Sequence, residues 1–428
     1  MNLSDRIKQQ VELNFDELVA TRRHIHSHPE LSFEEFETTK FIAKKLKSLG
    51  YDLQPITETG GYIDIQGKNP HTKVIALRGD IDALPILEKT GKEYASKNEG
   101  VMHACGHDVH TTCLLGAVQI IDSLKNEFEG TIRCIFQPGE ERLPGGASVM
   151  IKNGVLKNPN VEKIMGQHVM PLIDAGKVGF RSGLYMASAD EIYIKVIGKG
   201  GHGAHPHQNI DPVYISAQII TQLQSVVSRH AKPSTPSVLS IGKVVANGAT
   251  NIIPNEVSME GTFRTYDEEW RNKAHKLIEK TCNDTAEIHG ATCEVEVRKG
   301  YPFLKNDEDL TTHTMNWAKE YLGEDNVEEL ENSIEIFSSD IVQRFTDNLT
   351  KDLLQKHKED TKILTSGSLS FLVNKIALKL GIEISFGTDP EYLDGFFTGK
   401  VKGYPNFSEE KVRRIKFWMD SEQFDEIF

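Results

Sequence analysis

An α/β layer structure followed by a small α+β domain is what this sequence predicts. Strand-like runs alternate with helical patterns through the first 170 residues. Polar clusters stand at the C-terminal ends of those runs, where open α/β sheets gather their ligands. Near residue 186 the order changes to β-α-β-β-α, as a small α+β domain would show.

The elements follow in order. Residues 3–50 read as two helices around a turn at His28-Pro29-Glu30, with Gly50 as the stop of the second. Residues 74–78 (Val-Ile-Ala-Leu-Arg) form a buried strand that runs into Gly79-Asp80-Ile81-Asp82. Asp108 to Leu124 has apolar positions three and four apart, the helical period. Residues 131–136 form the next strand and run into Gln137-Pro138-Gly139-Glu140-Glu141, and residues 163–166 lead to His168. In the second region, residues 191–197 alternate as a strand, and a Gly/His-rich loop spans 198–207. A helix at about 211–229, strands at about 238–245 and 256–264, and a helix at about 268–289 complete it.

A length of 428 residues suggests two or three domains, at roughly 150 residues each. The net charge of −13 disfavours nucleic acid and anionic membrane as partners, because phosphate needs a basic face. No apolar run reaches the roughly 18 residues of a membrane span, and Met1-Asn2-Leu3-Ser4-Asp5 opens a charged helical pattern rather than a signal core. Five cysteines do not make a disulfide framework, so the reducing cytoplasm is the expected compartment.

The chemistry concentrates in a few places. His103-Ala104-Cys105-Gly106-His107-Asp108 sets a thiol and an imidazole two residues apart at a helix entry, with His110 beyond. Glu140 and Glu141 follow one strand, and His168 ends another. Thiolate, imidazole and carboxylate together suit Zn²⁺ or a similar first-row metal. Any one of these residues alone is more often packed or solvated; it is their joint placement at strand ends that points to a metal. Of two adjacent carboxylates, one can bind metal while the other takes a proton from a metal-activated water. Asp80 and Asp82 read either as ligands, as carboxylates that orient a His, or as a polar loop.

These residues carry a family resemblance. Arg78-Gly79-Asp80-Ile81-Asp82-Ala83-Leu84-Pro85, His103 to His110, Gln137 to Glu141, Gly146-Ala147 and Gly166-Gln167-His168 resemble the M20 metallopeptidases. The nearest branch is the amidohydrolases of N-acyl amino acids, hippurate and auxin conjugates. Arg22-Arg23-His24-Ile25-His26-Ser27-His28-Pro29-Glu30-Leu31-Ser32 matches too, and the resemblance spans about residues 10–330. It implies a metal-binding catalytic domain over 1–185 and 299–330, with an inserted dimerisation domain over 186–298. Cys105, His107, Glu141 and His168 would bind two divalent metal ions, Zn or Mn, with Cys105 shared between them. Glu140 would be the general base, and Asp82 the aspartate beside the metals. The substrate would be a small N-acyl amino acid and the assembly a homodimer.

Within the second domain, the resemblance assigns His202, in Gly198-Lys199-Gly200-Gly201-His202-Gly203, to the tetrahedral oxyanion, reached from the partner subunit. Asn251, in Asn251-Ile252-Ile253-Pro254, and Arg264, in Gly261-Thr262-Phe263-Arg264, also fall on family motifs. Arg264 suits a substrate carboxylate, which its planar fork can bind bidentately, and Asn251 can donate to the same group. The other readings are an edge-strand Arg in a surface pair and a capping Asn.

The resemblance stops near Leu330. The family's later portion of the catalytic domain, with a late His as fifth ligand, has no counterpart here, and His357 in a charged helical stretch is the sole later histidine. The catalytic domain is therefore expected to be incomplete at its C-terminal end. Residues 335–428 instead resemble the middle of a haloacid-dehalogenase-like phosphatase of the phosphoserine phosphatase type. Ser366 and Lys411 match its phosphate-binding pair, but its Asp-x-Asp nucleophile is missing and the chain ends about where its acidic motif should begin. Two readings stay open: a working amidohydrolase with four protein ligands, or a product that dimerises and binds metal or ligand without turnover.

Overall fold

The computed structural model describes residues 3–174 and 176–332, and the backbone of Thr365–Ser366, Asp389–Leu393 and Phe396–Lys402. His357, Lys411 and most of the segment with the phosphatase resemblance lie outside the described residues. The chain divides into two units. The first includes Met1–Phe180 and Asp309–Leu330, and the second includes Arg181–Glu308.

The first unit opens with helices α1 (Leu3–Ser27) and α2 (Phe36–Ser48). Ile7, Val11, Leu18 and Ile25 recur at helical spacing and form the buried stripe of α1. Strands β1 (Gly61–Gln66), β2 (Val74–Asp80), β3 (Thr131–Gln137) and β4 (Lys163–Gly166) form one sheet in the order β1-β3-β2-β4. Helix α3 (His107–Ser123) packs against α1 and β2 and is buried almost throughout. Fully burying each of its Val109, Leu114 and Val118 side chains stabilises the unit by roughly 1.5–3 kcal/mol. Helix α4 (Gly146–Lys152) and strand β5 (Val178–Phe180) follow.

The sheet's direction places the chemistry. β2, β3 and β4 are parallel, with Asp80 opposite Gln137 and Arg78 opposite Gly166. Their C-terminal ends therefore lie on one edge. Residues 81–82, 138–141 and 167–168 leave the sheet there.

The second unit contains β6 (Gly183–Met186), β7 (Asp190–Ile197), β8 (Gly201–His202), α5 (Pro212–Ser225), β9 (Ser237–Val245), β10 (Ile252–Ile253), β11 (Glu256–Thr265), α6 (Glu268–Ile288), β12 (Thr292–Lys299) and β13 (Leu304–Asn306). Its main sheet is antiparallel, in the order β12-β7-β11-β9. Ile192, Ile194 and Val196 alternate inward from β7 and meet Ile215, Ile219 and Leu223 of α5 and Ile278 of α6. Asp211 caps α5 by accepting from the Val213 and Tyr214 amides, and Asp267 caps α6 through the Trp270 amide.

Helix α7 (Glu308–Leu322) and strand β14 (Val327–Glu329) return to the first unit, where β14 runs parallel to β5. The short strand β15 (Thr365–Ser366) pairs with the other edge of β5, and β16 (Asp389–Leu393) pairs with β17 (Phe396–Lys402).

Some elements were not read from the sequence. β1 carries polar residues at Asp64 and Gln66 and opens on a Gly-Gly pair. β12 alternates Glu and Arg with small apolar residues. The helix expected over 211–229 keeps α-geometry only to Ser225 and continues as a π-helical turn through His230. The loop at 198–207 holds a two-residue strand, β8.

Candidate metal centre

Gly106 sets the Cys105-His107 pair. It caps α3 in a left-handed conformation, φ +88°, and a Cβ there would lie 2.4 Å from Val169. That turn places Cys105 before the helix and His107 on its first turn. Cys105 Sγ lies 3.3 Å from His168 Nε2. The His168 Nδ1–H donates to the Val169 carbonyl at 2.7 Å, which leaves Nε2 as the lone-pair nitrogen facing the thiol.

His107 is the centre of the cluster. Its Nδ1 faces the Asp82 carbonyl at 2.9 Å and Asp82 Oδ1 at 3.1 Å. Its Nε2 points the other way, 3.8 Å from Glu141 Oε1, 4.0 Å from Glu140 Oε2 and 3.6 Å from Asp80 Oδ2. Among the described residues, three groups bring possible ligand atoms within 4.8 Å of one another, and His107 belongs to all of them: Cys105-His107-His168, His107-Glu140-Glu141 and Asp80-His107-His110.

His110 is already committed. Its Nδ1 pairs with Asp80 Oδ1 at 2.6 Å, and its Nε2 accepts from the Val169 amide at 2.8 Å. It braces the backbone beside His168. Asp80 is likewise held, with Arg78 Nη1 2.7 Å from its other oxygen. Asp80, read from the sequence as a ligand, a carboxylate that orients a His, or part of a polar loop, is buried and paired with Arg78 and His110.

Asp82 ties the elements together. Besides His107, it accepts from Ser32 Oγ at 2.6 Å and from the Glu141 amide at 2.9 Å. The N-terminal motif works one residue further along α3, where buried Arg22 and His26 both lie 2.8 Å from Asp108. Burial alone would lift the Asp108 carboxyl; Arg22 and His26 hold it well below the usual carboxylate range.

The electrostatics match a cation site. Burial and the neighbouring Glu141 push Glu140 up to about 7. Burial also raises Glu141, and burial with Glu141 beside it raises the Cys105 thiol. Burial pushes His168 down to about 3 and keeps its imidazole neutral. Burial opposes charge on His107, yet Asp80 and Cys105 beside it raise it well above the usual range. Crowded carboxylates and a thiol that resist ionisation are what a divalent cation would relieve.

The donor set passes a direct test of fit. His107 Nε2 and Glu141 Oε1 are buried, have no hydrogen-bond partner and face each other. Buried polar atoms are ordinarily satisfied, and a shared cation would satisfy both. Thiolate, imidazole and carboxylate donors together suit a first-row divalent metal ion.

The remaining candidates belong to the second unit. β8 pairs with β10, so that His202 lies opposite Ile252 and the Gly203 amide donates to the Asn251 carbonyl at 2.8 Å. This pairing brings His202 and Asn251 side by side, both exposed. His202 Nδ1 accepts from the Ala204 amide at 3.0 Å. Arg264, on β11, is partly buried; its Nε reaches Thr262 Oγ1 at 3.1 Å, and its Nη1 has no hydrogen-bond partner.

Sequence reasoning passed over Ser32 as a contact of Asp82, and Glu35, whose carboxylate accepts from the Gly139 amide at 2.7 Å. Neither has a local signature, because each partner lies 50 or more residues away.

Parallel strands bring a Cys-x-His pair, adjacent glutamates and a strand-end His to one edge, a donor set that could hold metal. Residues 76–343 match the profile of peptidase family M20/M25/M40, and residues 299–426 match that of haloacid dehalogenase-like hydrolases. The chain is 43% identical to an N-acyl-L-amino acid amidohydrolase of Geobacillus stearothermophilus, over 74% of this chain and 85% of that protein. It is 39% identical to a hippurate hydrolase of Campylobacter jejuni, over 72% of this chain and 79% of that protein. Among solved structures, the Bacillus subtilis YXEP protein, a dinuclear metal binding peptidase from the M20 family, aligns with a TM-score of 0.64 at 30% identity. That alignment covers 87% of this chain and 98% of the other. The chain belongs to the peptidase M20 family and is a hydrolase of amide bonds. Among the described residues, no helix is long and apolar enough to cross a membrane.

Proposed function

We propose that this protein hydrolyses the amide bond of small N-acyl amino acids of the N-acetyl amino acid or hippurate kind. The observation that carries the reading is His107 Nε2 facing Glu141 Oε1 in a buried cluster, with Glu140 beside them at the more exposed end, its side chain 37% exposed. Cys105, His107, Glu141 and His168 would hold two divalent ions, Zn or Mn. When bound, these ions supply Lewis-acid polarisation of the amide carbonyl and lower the pKa of water.

The chain's own residues do the rest. Glu140 takes a proton from the attacking water as the C–O bond forms, then passes it to the leaving amine as the C–N bond breaks. Its raised pKa suits both halves of that exchange. Asp82 holds the His107 ring by its Nδ1 and the Glu141 backbone by its amide, so that both stay aimed at the same point. Arg264 binds the substrate carboxylate, with its unpartnered Nη1 supporting that role. Asn251 donates to the same carboxylate. His202 stabilises the tetrahedral oxyanion, and the second unit is the dimerisation domain that delivers it from a partner copy. The low cysteine use supports a cytoplasmic enzyme.

The test is a panel of N-acetyl amino acids and hippurate, offered to the full chain with Mn²⁺ or Zn²⁺. Metal-dependent release of free amino acid supports the reading. A folded, metal-loaded dimer that releases none refutes it and leaves a binding protein.

A further inference from the structure

Glu35 is fully buried, yet the donors to its side chain, the Thr59 hydroxyl and backbone amides including that of Gly139, are all neutral. Thr59 Oγ1 donates to its Oε2 at 2.7 Å, and the Gly139 amide donates to its Oε1 at 2.7 Å. A buried carboxylate without a cation is costly, and a well-packed apolar side chain would serve a purely structural purpose better. What distinguishes Glu35 is the segment it holds. Gly139 immediately precedes Glu140 and Glu141, and it stands at φ +56° with the Phe33 ring 2.5 Å from where a Cβ would be.

The same stretch grips the cluster from a second side. Ser32 Oγ donates to Asp82 Oδ2 at 2.6 Å, and the Ala83 amide donates to the Glu30 carbonyl at 2.8 Å. Phe33 itself adopts φ +67°, an unfavourable backbone for a bulky residue. Strain held in place by surrounding contacts marks a segment selected for where it puts its neighbours.

We infer that Glu35 is a positioning residue for the Glu140-Glu141 loop, clamping the Gly139 backbone so that both carboxylates stay aimed at His107. The catalytic consequence rests on the function proposed above; the consequence for metal binding does not.

Glu35→Ala removes both acceptors. Glu35→Gln keeps one carbonyl oxygen for Gly139 and offers its amide NH₂ to Thr59 Oγ1. Both are made in the full chain and compared with wild type by Mn²⁺ titration of metal-free protein, by thermal melting, and by kcat and KM at saturating Mn²⁺. Loss of a group that orients metal ligands ordinarily weakens affinity about 10–100-fold. Glu35→Ala is therefore expected to weaken Mn²⁺ binding about 10–100-fold and to lower kcat by a similar factor, with KM within about twofold. Glu35→Gln is expected to recover most of both.

A lower melting temperature with Mn²⁺ affinity and kcat unchanged would overturn the inference. So would equal losses in the Ala and Gln variants. If Glu35→Ala does not fold, Thr59→Val removes one donor in an isosteric change and carries the test. Weaker Mn²⁺ binding then supports the clamp, and unchanged binding overturns it. If wild type hydrolyses no member of the panel, the functional proposal fails while the Mn²⁺ comparison still decides this one.

Discussion

Replacing Asp82 with Asn changes one atom and disturbs three contacts. Asp82 Oδ2 accepts from Ser32 Oγ at 2.6 Å and from the Glu141 amide at 2.9 Å, while Oδ1 faces His107 Nδ1 at 3.1 Å. All three partners approach as donors. An Asn side chain must turn its NH₂ toward one side or the other. If the NH₂ takes the Oδ2 position, it meets two donors; if it takes the Oδ1 position, it meets the His107 N–H. The His107 tautomer survives either way, because the Asp82 carbonyl accepts from the same nitrogen at 2.9 Å. Among the described residues, the Glu141 amide has no such second acceptor. Metal affinity should therefore fall about 10–100-fold, or about 1.4–2.7 kcal/mol. The metal-free chain should lose less, because removing a carboxylate also relieves Glu141, whose carboxyl is raised by burial and by Asp82. Calorimetric titration of Mn²⁺ into metal-free wild type and Asp82→Asn measures this. Affinities within twofold of each other would refute the orienting role of Asp82.

Three further predictions follow from the same geometry. Gly106→Ala forces a Cβ against Val169 at 2.4 Å in a left-handed turn, so it should lower stability by roughly 1–3 kcal/mol and weaken metal binding, read by melting and Mn²⁺ titration. In the second unit, burial would raise Asp190, but hydrogen bonds from His275 and Arg271 hold it down at about 2. A depressed carboxyl stabilises the fold above its unfolded pKa of 3.8 and loses that contribution as pH falls through about 2. The difference is worth about 2 kcal/mol, so the stability gap between wild type and Asp190→Asn should close as pH falls from about 4 to 2, followed by chemical denaturation. Activity should rise with pH as Glu140 ionises. The limb should lie below about 7, the metal-free position of that group, because a bound cation favours the carboxylate. A rate that falls through that range would contradict the assignment.

The sequence made some of this site legible and hid the rest, for physical reasons. Cys105-Gly106-His107 is readable because a helix entry fixes the relation of residues two apart. Glu140, Glu141 and His168 are readable because parallel strands place their C-terminal loops on one edge. Asp80 and Asp82 share a motif, but Asp80 ends β2 and Asp82 lies in the loop beyond it; one binds Arg78 and His110 while the other meets His107 and Glu141, and spacing alone did not separate those roles. Spacing gave His110 no role; the structure shows both of its nitrogens engaged, with Asp80 and with the Val169 amide. Ser32 and Glu35 act on residues 50 and 104 positions away, a relation that only tertiary folding creates. The pairing of β8 with β10, which sets His202 beside Asn251, was concealed in what read as a flexible glycine loop.

In the proposed mechanism Glu140 moves a proton while its neighbours hold metal. The direct measurement is Mn²⁺ stoichiometry and affinity together with turnover, for wild type and Glu140→Gln side by side. Equal stoichiometry, affinity within about threefold, and turnover lower by about 10²–10⁴-fold, the usual contribution of a general base, are expected. A Glu140→Gln chain that loses a metal ion would make Glu140 a ligand, and one that keeps its turnover would remove it from the mechanism.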